Sequence, residues 1–158
     1  MIESLDKITG RLVLAGVGLV GRGDDGFGPL LARRLKDAGL PRCIDCGDRL
    51  EDYTGDIIRE APETIVIADA VDLSAKPGDV AILDPEHLAP GVGDTHRASL
   101  RVAMEYLRMR TGATVLLLGI QPERIADQDE LSSIVASRLE HLVHIFENKI
   151  YSQEGVVE

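Results

Sequence analysis

The stretch that most constrains the fold is Leu12–Pro29, with the sequence LVLAGVGLVGRGDDGFGP. It begins with the apolar run Leu12–Ala15 and continues through five glycines, at positions 16, 18, 21, 23 and 26, among which lie Asp24 and Asp25. An apolar run that passes into a glycine-rich segment is typical of a buried strand followed by a tight loop. Leucines at helical spacing follow and predict a helix. The chain therefore places two adjacent carboxylates on a strand-to-helix connection, where open α/β sheets bind ligands.

The letters GVGLVG at residues 16–21 also match the G-x-G-x-x-G pattern of dinucleotide-binding folds. In those folds the glycines open the helix directly, so that its N-terminus holds the pyrophosphate. Here we expect the loop to continue over residues 22–28, and Asp24 and Asp25 would repel a pyrophosphate. Dinucleotide binding remains an alternative. A simpler alternative is that the two aspartates only cap the helix.

Length and composition point to one domain without a nucleic-acid or membrane partner. No linker or repeat divides the 158 residues, so we expect a single domain over residues 1–150 and a flexible tail over residues 151–158. The chain has 27 acidic and 17 basic side chains, and its formal net charge of −10 argues against nucleic-acid binding. No apolar run has the length of a signal peptide or a membrane span, so we expect a cytoplasmic protein. We further expect a monomer.

Cys43 and Cys46 form a single C-x-x-C motif, a spacing found in zinc sites and redox pairs. A structural zinc site needs four ligands and the chain has no second C-x-x-C, while a thioredoxin-like pair should open a helix. The letters RCIDCGD are instead typical of the end of a strand, on which residues three apart face opposite ways. We therefore expect no role in metal binding or redox chemistry, and keep such a role as the alternative.

Strands and helices alternate along the chain, which predicts an α/β fold with a mostly parallel sheet and helices on both faces. The β-branched segment Thr64–Ala68 is expected to be a central strand, buried on both faces. Val80–Leu83 follows after too few residues for a parallel crossover, so we expect an antiparallel strand at the edge. Apolar side chains at helical spacing predict one helix over residues 97–110 and a long one over residues 131–150.

Three candidate metal ligands are expected to converge at one edge of this sheet. Asp25 lies in the glycine-rich loop, Asp69 directly follows the central strand, and His96 begins the arginine-rich helix. Asp45, after the second strand, is expected at the same edge. The positive potential of a helix N-terminus favours a neutral imidazole, which can bind a metal. Two carboxylates and an imidazole with open positions suit nickel, zinc or manganese. The alternative for Asp69 is that it only caps the following turn.

Four motifs, in order, resemble those of one known family. They are similar to motifs of the maturation endopeptidases of [NiFe] hydrogenases, at similar spacing over nearly the whole chain. The four motifs are GRGDDGFGPLLA, IADAVDL, DTHRASL and GIQPE with a following LSSIV. In that family a three-layer α/β/α domain with a five-stranded twisted sheet removes a C-terminal peptide from the hydrogenase large subunit after nickel insertion. The resemblance implies an endopeptidase whose partner is the large-subunit precursor.

The resemblance also implies roles for particular residues. Asp25, Asp69 and His96 match the family's metal-contacting residues, which implies that they recognise nickel supplied by the substrate. Other divalent metals are expected to substitute in the isolated protein. The candidate catalytic residues are these three together with Asp24, because Asp24 and Asp25 are the nearest candidates for a general base. The metal could polarise the scissile carbonyl or lower the pKa of a bound water.

The chain departs from the family's pattern at two places. Leu19 stands where the family usually has an asparagine, and Cys46-Gly47 stands where it often has two glycines. The first departure puts the hydrogen bonding of the loop in question more than the ligands. It keeps open a non-enzymatic alternative, a metal-sensing chaperone that binds the precursor without cutting it.

Overall fold

A β-sheet lies at the centre of the molecule. The structure is a computed structural model that describes residues 2–88 and 95–154. Within these ranges the strands are β1 (Leu12–Gly16), β2 (Cys43–Asp45), β3 (Thr64–Ala70), β4 (Val80–Leu83) and β5 (Thr114–Ile120). They lie in the order β2-β1-β3-β5-β4, with β4 antiparallel to β5 and all other neighbours parallel. The prediction of a mostly parallel sheet with an antiparallel edge strand is confirmed.

Helices cover both faces of the sheet. They are α1 (Phe27–Asp37), α2 (Thr54–Arg59), α3 (Thr95–Thr111) and α4 (Ser133–Glu154). Side chains of α1 and α4 join one set of strand side chains in an apolar cluster, and side chains of α2 and α3 join the other set in a second cluster. This is the expected three-layer α/β/α arrangement.

Strand residues alternate between the two clusters because successive side chains in a strand point to opposite faces. In β3, Val66 and Ala68 face α1 and α4, whereas Ile65 and Ile67 face α2 and α3. All of β3 is buried, as expected of a central parallel strand. Asp69 follows Ile65 and Ile67 at the same two-residue spacing, so its side chain lies on the side of the sheet that α3 covers.

Two boundaries near the candidate site differ from the expectation. β3 continues to Ala70, because its pairing with β5 extends that far, and Asp69 therefore lies inside the strand instead of after it. The loop expected before α1 contains a 3₁₀ helix at Gly23–Gly26, which passes directly into α1 at Phe27. The two carboxylates after β1 are thus held in a short helical turn.

The C-terminal helix is longer than predicted. α4 continues to Glu154, whereas the sequence predicts a flexible tail over residues 151–158, of which residues 155–158 lie outside the described residues. Each residue added to an established helix contributes a backbone hydrogen bond without a new nucleation cost, which favours continuation. Among the described helices, none has the length and apolar character needed to cross a membrane.

Candidate functional site

Asp69 and His96 form a hydrogen-bonded pair at the carboxyl edge of the sheet. Oδ2 of Asp69, on β3, lies 2.6 Å from Nε2 of His96, the second residue of α3. The carboxyl group is fully buried, whereas the His96 side chain is 54% exposed. Oδ1 of Asp69 is buried and has no hydrogen-bond partner in the described part of the chain. Such an atom costs stability, and an orphaned carboxylate oxygen beside an imidazole is suited to bind a cation.

Burial also changes the acidity of Asp69. Desolvation raises the pKa of this carboxyl group from 3.8 to about 6, against the hydrogen bond and charge of His96, which lower it. The negative charge of Asp25 adds to the rise. The two carboxylates therefore lie close enough to repel each other, and a positive ion between them would relieve that repulsion.

Asp25 is held in place by backbone contacts of the glycine-rich loop. Its Oδ2 accepts a hydrogen bond of 2.9 Å from the N–H of Leu19. Gly18 has a φ of +135°, and a Cβ atom there would lie 1.9 Å from the carbonyl oxygen of Asp25, so the approach requires glycine. Leu19 donates through its backbone, and its side chain is not needed for this bond. The departure from the family's asparagine therefore leaves the support of Asp25 in place.

Asp25 and His96 border a cleft of about 510 Å³, here named the Asp25 cleft. Its lining includes Leu19, Asp25, Asp48, Asp72, His96 and Arg97. Two large apolar side chains at the cleft, Leu19 and Ile125, are 37% and 45% exposed. Sequence reasoning missed Asp48 and Ile125. The position of Asp48 just after β2 could have indicated it, whereas no local pattern marks Ile125.

Asp24 has a different environment from its neighbour. It is fully buried and does not line the Asp25 cleft. Its carboxylate accepts hydrogen bonds from the backbone N–H groups of Glu123, Arg124 and Ser132, and from the Ser132 hydroxyl, at 2.7 to 3.0 Å. Asp24 thus ties the loop after β1 to the segment between β5 and α4, and the structure does not bring it together with Asp69 and His96.

Asp45 lies at the same edge of the sheet, as expected, but is turned toward α1. Its Oδ2 accepts hydrogen bonds from the guanidinium group of Arg33 at 2.8 and 3.0 Å, and its Oδ1 accepts one from the N–H of Gly47. The side chain that reaches the Asp25 cleft from this connection is instead that of Asp48.

Two glycines of the G-x-G-x-x-G pattern, Gly16 and Gly18, allow close packing against the backbone, whereas a Cβ atom at Gly21 would contact nothing in the described part of the chain. A Cβ atom at Gly16 would lie 2.1 Å from the carbonyl oxygen of Gly28, and α1 begins only at Phe27, well after the third glycine of the pattern. The glycines therefore do not open the helix, which is the geometry that a pyrophosphate site requires.

Cys43 and Cys46 face opposite sides of the sheet, as the strand pattern predicts. Cys43 belongs to the cluster with α1 and α4, and Cys46 to the cluster with α2 and α3. Both thiols are free and buried, and desolvation raises the pKa of each to about 12. Protonated thiols are poor metal ligands and poor nucleophiles.

The three expected ligands do not form a ready metal site. In the part of the chain that the structure describes, no three His, Cys, Asp or Glu side chains are grouped so that they could hold a metal ion. Asp69 and His96 bond to each other, and Asp25 lies in the wall of the cleft that His96 also lines. An ion bound there would have to part the pair and bring further ligands.

Comparisons with known proteins agree with this architecture. The model of the HycI family, described as hydrogenase maturation protease, matches residues 29–149. The hydrogenase 3 maturation protease of Escherichia coli K12 is 37% identical in an alignment of 116 residues, and the match covers 70% of this chain and 72% of that protein.

Solved structures are similar over almost the whole chain. The crystal structure of the [NiFe] hydrogenase maturation protease HycI from Thermococcus kodakarensis KOD1 is 32% identical with a TM-score of 0.83, and the match covers 92% of this chain and 97% of that one. The solution structure of the endopeptidase HycI from Escherichia coli is 29% identical with a TM-score of 0.76, covering 88% and 90%. Since the family model also matches well over half of the sequence, the chain belongs to the hydrogenase maturation protease family.

Proposed function

We propose that this protein is an endopeptidase that removes a C-terminal peptide from the precursor of a [NiFe] hydrogenase large subunit once nickel has been inserted. Asp25, Asp69 and His96 contact the nickel of the substrate in this proposal. The observation that carries it is the Asp69–His96 pair, whose His96 lines the Asp25 cleft, with Oδ1 of Asp69 buried and without a hydrogen-bond partner among the described residues. The solved relatives that are named as a [NiFe] hydrogenase maturation protease and an endopeptidase support the same activity.

The spacing of the pair is compatible with a metal ion. Two atoms that bind one ion at about 2.1 Å each lie about 3 to 3.4 Å apart. Oδ2 of Asp69 and Nε2 of His96 are 2.6 Å apart, so a movement of less than about 1 Å would make room for an ion in place of the shared proton. Oδ2 of Asp25 accepts a hydrogen bond from Leu19, and a carboxylate has further lone pairs to offer.

The proposed source of reactivity follows from two features of the described residues. The described residues offer no three-ligand group for a resident metal, and both thiols are buried and protonated. Reactivity would therefore come with the substrate. Nickel held jointly by the substrate and by Asp25, Asp69 and His96 would polarise the scissile carbonyl or lower the pKa of a bound water. Since the site is complete only when the protein has bound a nickel-loaded precursor, a nickel-free precursor would not be cut.

The test compares nickel-loaded and nickel-free precursor, each incubated with the protein and then measured by mass spectrometry. We expect cleavage of the loaded form only. Asp25→Ala and His96→Ala should abolish cleavage, and Asp25→Glu should retain part of it because it keeps an oxygen ligand. Asp45→Asn is the matched control, since Asp45 lies at the same sheet edge but contacts Arg33, and it should cleave normally.

Two results would overturn the proposal. Efficient cleavage of nickel-free precursor in the presence of a strong chelator would show that cleavage does not require nickel. Stable binding of the loaded precursor without any cut would instead identify a metal-sensing chaperone.

The isolated protein offers a simpler measurement. Because three ligands leave open positions, we expect weak binding of nickel or cadmium by calorimetry, and a loss of that binding in His96→Ala. Equal uptake by the wild type and by this variant would show that the ion binds elsewhere.

A further inference from the structure

A second cavity, of about 540 Å³, lies beside the edge strand β4 and is here named the β4 cavity. Its lining includes Asp79, Val80 and Leu83 at the strand, together with Arg97 and Arg138 from α3 and α4. Arg97 also lines the Asp25 cleft. The two depressions are therefore neighbours that share Arg97 in their walls.

The two depressions differ in their balance of charge. The Asp25 cleft carries three carboxylates, those of Asp25, Asp48 and Asp72, against the guanidinium groups of Arg22 and Arg97. The β4 cavity carries the guanidinium groups of Arg97 and Arg138 and the imidazole of His87 against one carboxylate, that of Asp79. The carboxylate of Asp79 accepts a hydrogen bond of 3.2 Å from the N–H of Lys76 in the turn before β4. A basic cavity is notable in a chain with a net charge of −10. The first depression suits a cation and the second an anion.

Arg138 is held in a fixed orientation. Its Nε donates a hydrogen bond of 3.1 Å to the carbonyl oxygen of Gly78. Gly78 has a φ of +87°, and a Cβ atom there would lie 2.6 Å from Cγ1 of Ile134, so the turn packs closely against α4. Among the described residues Arg138 has no ion pair, and its two Nη atoms make no hydrogen bond. A guanidinium fixed through Nε can offer both Nη atoms to one carboxylate.

The strand beside this cavity lies at the edge of the sheet. β4 is the last strand of the sheet and pairs with β5 alone in the described part of the chain. An edge strand presents unpaired backbone N–H and C=O groups, to which an extended peptide can add as a further strand. Such a peptide gains affinity from the backbone and specificity from its side chains.

We propose that the β4 cavity binds an extended segment of the substrate, on the released side of the cleaved bond, and that Arg138 pairs there with an acidic side chain of that segment. The proposal rests on the proposed function, in which the released part is a peptide and the nickel-bearing part is the folded subunit. The bond to be cut lies at the Asp25 cleft, and the released peptide passes Arg97 and continues along β4. Arg138 is a specificity residue in this arrangement, since it touches the peptide away from the reacting atoms.

Peptide binding tests the cavity without any need for cleavage. The probes are two fluorescent eight-residue peptides of valine and threonine, amidated at the C-terminus, one with two glutamates and the other with two glutamines in their place. We expect anisotropy titrations at low salt to show the glutamate peptide binding about tenfold more tightly than its twin. Arg138→Gln should remove that difference, Arg138→Lys should keep part of it, and Arg59→Gln on α2 should not change it.

Cleavage kinetics provide a second test of the proposal. With nickel-loaded precursor, we expect Arg138→Gln to raise KM about tenfold with kcat unchanged. If the glutamate and glutamine peptides bind equally, or Arg138→Gln changes neither peptide affinity nor KM, the cavity proposal is wrong even if cleavage itself proceeds. If wild type cleaves no precursor but binds the glutamate peptide through Arg138, the proposed function fails and the acidic-peptide site remains.

Discussion

Asp69 is a carboxylate that the fold buries without a full set of hydrogen-bond partners among the described residues. Its pKa of about 6 lies above the ordinary 3.8, so the folded state holds the proton more tightly than the unfolded chain between these values. The free energy of unfolding should therefore fall as the pH rises from about 4 to about 6, by up to about 3 kcal/mol. A residue that costs stability at neutral pH is a candidate for function.

The first prediction concerns Asp69→Asn. The amide has the same shape without the charge, so we expect the free energy of unfolding at pH 7.5 to rise by about 1 to 3 kcal/mol while cleavage is lost. Urea titrations at pH 4.5 and pH 7.5 measure the change, and most of the difference between the two pH values should disappear in this variant. Asp37→Asn, at an exposed position, is the control. A variant less stable than wild type at pH 7.5 would contradict the desolvation argument.

The second prediction separates the adjacent residues Asp24 and Asp25. Asp24→Ala would leave three backbone N–H groups of the segment before α4 without their acceptor, and each such loss costs about 1 to 3 kcal/mol. We expect this variant to lose at least about 3 kcal/mol of stability, whereas Asp25→Asn should change stability by less than about 1 kcal/mol and still abolish cleavage. Thermal unfolding and the cleavage assay read out the two effects. An Asp24→Ala protein with normal stability and no activity would place Asp24 in the chemistry.

At the scale of elements, the site depends on how closely α1 approaches the sheet. The N–H of Val17 donates a hydrogen bond of 2.8 Å to the carbonyl oxygen of Ala68, and Gly28 of α1 packs against both residues. Because the 3₁₀ helix at Gly23–Gly26 leads straight into α1, the position of α1 sets the position of Asp25. Gly28 therefore helps to hold Asp25 in position.

The third prediction uses two glycines in helices. A Cβ atom at Gly28 would lie 2.3 Å from the carbonyl oxygen of Ala68 and 2.4 Å from that of Val17, so we expect Gly28→Ala to cost about 3 kcal/mol and to reduce cleavage. At Gly55 in α2 the nearest atom is the tip of Arg59, 3.9 Å away, and Gly55→Ala should stabilise the protein by about 0.5 to 1 kcal/mol. Denaturant titrations compare the two. Equal effects would mean that α1 can move away from the sheet at little cost.

At the scale of the whole molecule, two apolar clusters share one sheet. The strands contribute side chains to both clusters, so neither cluster can be lost without exposing the other face of the same strands. The molecule should therefore unfold as one cooperative unit, as small domains usually do.

The fourth prediction tests this cooperativity with a substitution in each cluster. Leu107→Ala in α3 and Leu139→Ala in α4 should each cost about 2 to 5 kcal/mol, since both side chains are buried. Each variant should unfold in a single transition, with coincident curves from circular dichroism and from the exposure of Cys43 and Cys46 to a thiol reagent. Separate transitions for the two cysteines, which lie in different clusters, would contradict a single unit.

The sequence by itself determined the elements and the place where they meet. The apolar runs and their spacing predict the parallel strands, the antiparallel edge strand and the helices on both faces, because these patterns depend on local periodicity. The same reasoning places Asp25 and Asp69 at one edge, because the carboxyl ends of parallel strands share an edge, and it places His96 at the start of a helix that begins there.

Only the tertiary structure decided which side chains share a cleft. Asp24 and Asp25 are neighbours in the chain, yet Asp24 bonds to groups about a hundred residues away and Asp25 lines the cleft. Asp45 is turned away by Arg33, and Arg138 is oriented by a carbonyl group sixty residues earlier. The direction of a side chain in a connection depends on the partners that packing brings to it, and those partners follow no local period.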